Sequence, residues 1–263
     1  MPDPGVGVAS GPTADGGRAS FEAVMRAIDA CKRPRGTPGA ADAMVTAPVS
    51  KEAWHAAGID LPGHTELLAR EFESPDSGML FVGPTLRVLL ATIHVPLARV
   101  PGLITRERVA ACIELAHRAC VGLGVVRPRI AVAGLNPHAG EHGLFGPEDQ
   151  QRIAPAIEEA RARGLDVTGP WPGDVVFLRA VEGRHDVVIA MYHDQGLIPV
   201  KLLDRRRTVN MTAGLSWRGR SVVRTSPAHG TAYDIAGSGA ADPTSMVEAI
   251  RLAARLACDS RAG

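Results

Sequence analysis

Three short apolar runs in this 263-residue chain each end at a histidine, and this pattern constrains its fold more than any other feature. The runs, each with the histidine that ends it, are residues 87–94 (His94), 129–138 (His138) and 186–193 (His193). Nearly unbroken Val, Ile and Leu stretches between helical patterns are typical of buried parallel strands. The sequence therefore predicts an α/β fold with a mainly parallel sheet and helices on both of its faces.

The histidines at the strand ends predict a shared site. In open α/β sheets, ligands bind beyond the carboxyl ends of the strands. Three imidazoles delivered to that edge can bind one divalent ion such as Zn²⁺, Co²⁺ or Ni²⁺ and leave a coordination position for a substrate oxygen. His142 is an alternative to His138, which is preferred because it directly follows its strand and the Asn-Pro turn. The competing interpretation is three unrelated loop histidines, and it is weakened because no other histidine follows a comparable strand.

Composition narrows the range of partners. A net charge of +1 with 22% charged residues gives no overall field that favours nucleic acid or membrane. No run is long enough to span a membrane and no secretory signal is recognisable, so a cytoplasmic location is expected. None of the cysteines forms a C-x-x-C pair, which favours core thiols over disulfides or a zinc site. These cysteines are Cys31, Cys112, Cys120 and Cys258.

Other segments predict alternating helices and strands. Apolar periodicity predicts a helix from Gly17, and Thr105 has the position of an N-cap for another. Residues 43–48 predict a strand, and a Gly/Pro/Trp turn is expected around Asp174. Beyond Lys201 the sequence becomes basic and is expected to be irregular.

Two further groups of residues can bind ligands. One combines cationic, amide and hydroxyl side chains, which supply the donors that a phosphate or carboxylate needs. Its members are His64, Thr65, Lys201, Asn210 and Arg224. The other is the glycine-rich segment 229–239, where backbone can approach a ligand closely. The alternative for this segment is a plain glycine turn between two helices, and no G-x-G-x-x-G follows a strand.

Together these motifs resemble the 4-hydroxythreonine-4-phosphate dehydrogenase family of the vitamin B6 pathway. The matching segments are Thr46-Ala-Pro-Val-Ser-Lys51, Gly63-His-Thr-Glu66, Ala91-Thr-Ile-His94, Gly134-Leu-Asn-Pro-His-Ala-Gly140, Ala190-Met-Tyr-His-Asp-Gln-Gly196, Val209-Asn-Met-Thr212, Arg224-Thr-Ser226 and His229-Gly-Thr-Ala232. The family is also similar to isopropylmalate and isocitrate dehydrogenases, whose adenosine-binding segment resembles residues 229–243.

The resemblance implies a two-lobed α/β homodimer of the isocitrate/isopropylmalate dehydrogenase type, with residues 1–263 forming one incomplete two-lobed unit. Such an enzyme oxidises a phosphorylated β-hydroxy acid, similar to 4-hydroxythreonine 4-phosphate, with NAD or NADP. The resulting β-keto acid then loses CO₂. One divalent ion (Zn, Co, Mg or Mn) would be bound by His94 and His138 of one subunit and by His193 of the other.

The resemblance also implies roles for the remaining motif residues. Substrate binding is assigned to His64, Thr65, Lys201, Asn210 and Arg224, and cofactor binding to His229, Gly230, Thr231, Ala232 and Asp234. Asp194 or Lys201 would handle protons, and the sequence does not choose between them.

Three departures from the family pattern stand out. The usual first strand and its glycine-rich loop are absent, so an N-terminal truncation is expected. The link at 216–223 is longer than usual, so Arg218 or Arg220 are alternatives to Arg224. Ala228 replaces an acidic residue before His229.

These departures leave several functions open. The chain can be a paralogue acting on a four-carbon sugar-acid phosphate or a terephthalate dihydrodiol. It can also be a catalytically impaired remnant that binds metal or phosphate. A hydrolase using the same three histidines is disfavoured, because the motifs provide no separate water-activating glutamate.

Overall fold

The computed structural model describes residues 11–61 and 63–262. Its strands are β1 Ala43–Val45, β2 Gly78–Val82, β3 Arg87–Leu90, β4 Ile130–Ala133, β5 Val167–Trp171, β6 Val187–Ala190, β7 Val209–Ala213, β8 Ser216–Trp217, β9 Arg220–Ser221 and β10 Val223–Pro227. Its α-helices are α1 Ala14–Lys32, α2 Lys51–Ala56, α3 His64–Glu71, α4 Val100–Leu103, α5 Arg106–Gly122, α6 Ala154–Ala162, α7 Gly173–Val181, α8 His193–Asp204 and α9 Thr244–Ala262. Short 3₁₀ turns cover Leu97–Arg99 and Tyr233–Ile235, a π-turn covers Asp149–Ile153, and Pro137–Gly143 forms a turn whose inner residues have left-handed backbone.

In the described part of the chain, β1 to β7 and β10 form one 8-stranded sheet with the order β1-β10-β7-β2-β3-β6-β4-β5. Strands β3, β6, β4 and β5 pair in parallel, as do β1 and β10. Antiparallel pairing joins β10, β7, β2 and β3. The predicted mostly parallel sheet is confirmed, and the three strands that lead to histidines are neighbours with their carboxyl ends at one edge.

These strands are buried because both faces of the sheet are covered. Along β3, Leu89 packs into the cluster formed with α5 and α6, whereas Val88 and Leu90 pack into the cluster formed with α7 and α8. Strand β6 alternates in the same way. Each such side chain contributes about 1.5–3 kcal/mol of burial free energy. The apolar runs in the sequence therefore mark a core that is closed on both sides.

The remaining helices complete the fold around the ends of the sheet. Helix α1 begins after the N-cap Thr13 and crosses α2 closely, because a Cβ on Gly17 would lie 2.0 Å from the Ala53 carbonyl oxygen. Helix α9 packs on β10 and β1. Thr105 caps α5 as predicted, accepting a hydrogen bond from the backbone N–H of Arg108. All four cysteines are free thiols, and only Cys258 is exposed.

Two expectations about local structure were wrong. The chain beyond Lys201 is not irregular, because β7 and β10 lie inside the sheet and pair with β2 and β1. The segment before Asp174 is not only a turn, because β5 forms the edge of the sheet there. Both segments carry polar, Gly or Pro residues that hide a strand pattern, and pairing with neighbouring strands overrides their weak local preference.

The longer link forms a hairpin of β8 and β9 that packs on the end of α1. The Lys32 ammonium lies 4.8 Å from the centre of the Trp217 ring, and Arg220 donates hydrogen bonds to the carbonyls of Cys31 and Arg33. The division into two lobes stays a prediction. Among the described residues, no helix combines the length and apolar content needed to cross a membrane.

Helix α8 sits on the sheet through Gly196, and this contact is testable. A Cβ on Gly196 would lie 2.6 Å from Leu90 Cδ2 and 2.9 Å from Val88 Cγ1. We expect Gly196→Ala to lower the free energy of unfolding by roughly 1–3 kcal/mol, because α8 must shift away from β3. Urea denaturation measures the change. Gly122→Ala is the matched control, since Gly122 is helical and has open space around it, and its expected effect is a gain of up to about 1 kcal/mol. Equal effects of the two substitutions would contradict this packing.

Candidate active site

Four of the five predicted anion-binding residues line one cavity of about 160 Å³. They are His64, Thr65, Asn210 and Arg224. Helix α3 begins at His64, and Asn210 and Arg224 lie on the paired strands β7 and β10, where Asn210 is opposite Ser226. Lys51, His94, His229 and Gly230 also line the cavity, whereas Lys201 does not. The structure thus brings most of this predicted set together.

Arg224 is a buried cation, with only 2% of the residue exposed. Its guanidinium donates to Thr46 Oγ1 at 2.7 Å and to Thr212 Oγ1 at 3.1 Å. No carboxylate in the described ranges lies within ion-pair distance of it. Burial alone lowers the pKa of Arg224 to about 10. A buried positive charge held by hydroxyl groups is costly unless an anion joins it.

Two polar atoms in the same cavity are buried without hydrogen-bond partners. They are His64 Nε2 and Asn210 Oδ1. Burial, and then the charge of Arg224, lower the pKa of His64 to about 3, so its imidazole is neutral near pH 7. The edge of Trp54 packs against this ring, with centroids 5.7 Å apart. The guanidinium and an imidazole nitrogen that can donate suit an anion, whereas the Asn210 amide oxygen suits a hydroxyl donor of the same ligand.

Sequence reasoning missed two contributors to this site: Lys51, which lines the cavity, and Thr46, which lies behind it and holds Arg224. Thr46 binds the Arg224 guanidinium, and Lys51 lies at the start of α2 facing the cavity. Both belong to the segment 46–51, which matches a family motif. This match was the signal that could have identified them. The same cavity contains Arg224 and not Arg218 or Arg220, so the longer link does not displace the predicted arginine.

The imidazoles of His94 and His193 face each other with ring centroids 5.6 Å apart. His193 Nδ1 lies 2.7 Å from Asp194 Oδ1, which leaves its Nε2 free to ligate. Burial and the charges of Lys51 and His193 lower the pKa of His94, favouring the neutral form that binds metals. This donor set fits a divalent ion. However, in the part of the chain that the structure describes, no three His, Cys, Asp or Glu side chains are grouped for metal binding.

His138 lies in an adjacent cavity of about 600 Å³, which it lines together with Asp194. Asp194 also lines the smaller cavity that contains His94 and His193, so this carboxylate lies between the two groups of imidazoles. His142 lines neither cavity. Lys201 is exposed on α8 outside all of these cavities, so only Asp194 of the two proposed proton carriers lies beside the histidines.

The loop that carries His138 has an unusual backbone. Residues 138–142 all adopt positive φ angles between 42° and 83°, and four of them are not glycine. A left-handed turn costs about 1–2 kcal/mol per non-glycine residue. Strain of this kind persists where the surroundings fix the backbone, and it concentrates at functional sites.

The predicted cofactor segment surrounds a third cavity, of about 770 Å³. Four of the five predicted residues line it, namely His229, Gly230, Thr231 and Ala232. Asp234 does not line this cavity, although it lies in the adjacent 3₁₀ turn. His229 and Gly230 line both this cavity and the one that contains Arg224, so the two spaces adjoin. This volume is in the range of cavities that bind small organic ligands.

Comparison with known proteins shows which family this chain is similar to. A family model described as pyridoxal phosphate biosynthetic protein PdxA matches residues 6–253. The chain is 49% identical over 240 residues to a 4-hydroxythreonine-4-phosphate dehydrogenase of Beijerinckia indica, covering 91% of this chain and 68% of that protein. It is 47% identical over 244 residues to the D-threonate 4-phosphate dehydrogenase of Salmonella typhimurium, covering 93% of this chain and 72% of that protein.

A solved structure supports the same relationship. The crystal structure of the 4-hydroxythreonine-4-phosphate dehydrogenase from Klebsiella pneumoniae superposes with a TM-score of 0.82 at 43% identity. The match covers 98% of this chain and 76% of that one. The chain therefore belongs to the pyridoxal phosphate biosynthetic PdxA family and is an oxidoreductase, a dehydrogenase that acts on CH–OH groups.

Proposed function

We propose that this enzyme oxidises a phosphorylated β-hydroxy acid with NAD or NADP, and that the β-keto acid product then loses CO₂. The observation that carries the proposal is the buried guanidinium of Arg224, which has hydroxyl partners but no carboxylate among the described residues. A phosphate group would supply the missing negative charge and acceptors. Nicotinamide reduction with 4-hydroxythreonine 4-phosphate or D-threonate 4-phosphate as substrate tests the proposal.

The residues that line the cavity would bind the phosphate in different ways. Arg224 supplies the buried charge, and Lys51 supplies a second cation at the cavity wall. His64 is neutral near pH 7, so it would donate a hydrogen bond rather than attract the anion by charge. Asn210 and Thr65 would complete the set with amide and hydroxyl groups. These groups suit an anionic substrate, and turnover of the phosphorylated acids compared with that of a terephthalate dihydrodiol, which carries carboxylates, separates the two alternatives.

The proposed metal ligands are His94 and His138 of one subunit with His193 of the partner subunit. Imidazoles at the ends of adjacent parallel strands, one of them held by Asp194, support this set. When bound, a divalent ion and NAD(P) would supply Lewis acidity and a hydride acceptor. Residues 229–232 would hold the cofactor beside the phosphate site, and Asp234 stays a proposed contact.

The exposed apolar side chains around α8 support a homodimer. On α8, Ile198 is 58% exposed and Leu202 is 81% exposed, and Leu144 in the His138 loop is 73% exposed. A surface of this kind next to a site marks an interface, and a second copy of the chain is the proposed occupant. Helix α8 carries Lys201 about two turns beyond His193. A partner's α8 would therefore bring both side chains to the same site, which accounts for the exposed position of Lys201.

Proton transfer is assigned to Asp194 or Lys201, as the sequence implies. Asp194 contacts His193 directly, whereas Lys201 reaches a site only in the proposed dimer. The catalytically impaired remnant is the competing function, and absence of nicotinamide reduction with both phosphorylated acids would favour it. A cytoplasmic location stays a prediction.

Replacing the buried cation Arg224 tests its role in substrate binding separately from its effect on stability. We expect Arg224→Met to lower kcat/KM at least about 30-fold, because the phosphate loses its buried partner. Thermal stability without ligand should be unchanged or higher, because an unpaired buried charge is removed. In a thermal shift assay, inorganic phosphate should raise the unfolding temperature of the wild type but not that of Arg224→Met.

Arg220→Met is the matched control for this experiment. Arg220 binds backbone carbonyls near the end of α1 and does not line the cavity. It should keep the kcat/KM and the phosphate response of the wild type. An unchanged phosphate response in Arg224→Met would contradict the assignment.

The depressed pKa of His64 predicts a pH-dependent stability. Between pH 6.5 and 3, the unfolded state binds a proton at His64 that the folded state refuses, so stability falls as the pH falls. Between pH 6.5 and 5 this loss is on the order of 2 kcal/mol. Between pH 7 and 5, the free energy of unfolding of His64→Gln should fall by correspondingly less than that of the wild type. Urea denaturation without phosphate measures this difference. The exposed His55 provides the control substitution His55→Gln, and equal losses in wild type and His64→Gln would refute the effect.

Subunit mixing tests how the three imidazoles are shared. His94→Ala and His193→Ala should each be inactive as homodimers. A co-expressed mixture should recover about a quarter of wild-type activity, because half of the dimers are mixed and each of these has one intact site. Mixing His94→Ala with His138→Ala is the control and should recover none. No recovery in the first mixture would show that the ligands are not divided in this way.

A further inference from the structure

We propose that Asp149 is a positioning residue that sets the metal affinity of the site by holding the His138 loop in its left-handed turn. This inference rests on the proposed function, because it takes His138 as a metal ligand. Asp149 begins the π-turn before α6, and none of its surface is exposed. No motif quoted from the sequence includes it.

Among the described residues, the donors to the Asp149 carboxylate are Leu135 and Asn136, at the start of the loop that carries His138. Its Oδ1 accepts the backbone N–H of Leu135 at 2.8 Å, and its Oδ2 accepts the backbone N–H of Asn136 at 3.1 Å. The side-chain amide of Asn136 donates to the same Oδ2 at 3.0 Å. All of these donors lie within three residues before His138. The carboxylate therefore fixes the path of the chain from the end of β4 into the turn.

The loop also closes around Asp149 from its other side. A Cβ on Gly140 would lie 3.3 Å from Asp149 Oδ2, and a Cβ on Gly134 would lie 2.8 Å from Oδ1. Gly140 lies inside the left-handed turn, at φ 83°. The chain thus passes within contact distance of one carboxylate both before and after His138. This close approach needs glycine at both positions.

The type of contact indicates a positioning role rather than general stability. In the described residues, no cation forms an ion pair with Asp149, and the hydrogen-bond partners of its buried carboxyl group are N–H donors. Burying a carboxylate in this way is costly, and an apolar contact would hold two segments together at less cost. A carboxylate that accepts several N–H groups fixes their directions, as groups around metal-binding histidines do.

A second side chain connects the same loop to the His193 strand. Gln195 Nε2 donates to the Gly134 carbonyl at 2.8 Å, and Gln195 Oε1 accepts the Met191 N–H at 2.7 Å. The root of the His138 loop is therefore held by Asp149 on one side and by the end of β6 on the other. A change at Asp149 leaves the second connection in place, so the effect should fall on the turn itself.

The experiment compares two carboxylates at opposite ends of the same strands. Asp149→Asn keeps the shape of the side chain but presents N–H groups to the donors of Leu135 or Asn136. Asp186→Asn is the control, because Asp186 accepts three hydrogen bonds from Arg129 at 2.8, 3.0 and 2.9 Å near the amino ends of β4 and β6. Zn²⁺ affinity of the full chain is measured by competition with a chromophoric chelator, together with thermal unfolding of the metal-free protein.

We expect Asp149→Asn to weaken Zn²⁺ binding by about 10- to 100-fold, as substitutions around metal-binding histidines do. Asp186→Asn should lower the unfolding temperature and leave Zn²⁺ affinity unchanged. If Asp149→Asn lowers the unfolding temperature but binds Zn²⁺ like the wild type, the positioning role is wrong.

Two further variants cover the cases in which Asp149→Asn does not fold or His138 is not a metal ligand. Asn136→Ala removes the hydrogen bonds that the side-chain amide donates to Asp149 and to Glu148, and it serves if Asp149→Asn does not fold. It should weaken Zn²⁺ binding to a smaller extent, and wild-type affinity would overturn the inference. His138→Ala separates this inference from the proposed function, because wild-type affinity in that variant would show that His138 is not a ligand.

Discussion

The parallel pairing of β3, β6 and β4 determines where the candidate active site forms. Each of these strands is buried on both faces, so side chains on alternate positions pack into different clusters. A register slip of one residue would exchange the two faces of a strand, and the pairing is therefore strongly specified. Fixed register in turn fixes where each strand ends. The loops with His94, His138 and His193 consequently leave the sheet side by side.

The chemistry next to this edge depends on charge that the fold leaves unbalanced. Arg224 lies in the antiparallel half of the sheet with only hydroxyl partners, and His64 is kept neutral beside it. This arrangement lowers the stability of the free protein, and an anion that binds there recovers the cost. Strained or unbalanced groups of this kind are common at functional sites. The left-handed turn at His138 also costs conformational free energy at the same edge of the sheet.

Much of this could be predicted from the sequence where local pattern and tertiary packing agree. The three histidine-ending strands and the N-cap Thr105 were correct because burial and capping act over a few residues. Strands β7 and β10 were missed because Asn210 and Arg224 face the cavity and interrupt the apolar pattern. Asp149 carried no signal, because its role appears only when the π-turn folds against the end of β4. The convergence of the three imidazoles stays a prediction, since it takes His193 from a second subunit.

The most direct test is anomalous diffraction from crystals grown with Zn²⁺ and inorganic phosphate, with data collected at the zinc edge. We expect one zinc peak per site, bound by His94 and His138 of one subunit and by His193 of the partner subunit, with phosphate on Arg224. A zinc peak away from these imidazoles, or phosphate bound elsewhere while the Arg224 cavity holds only water, would contradict it.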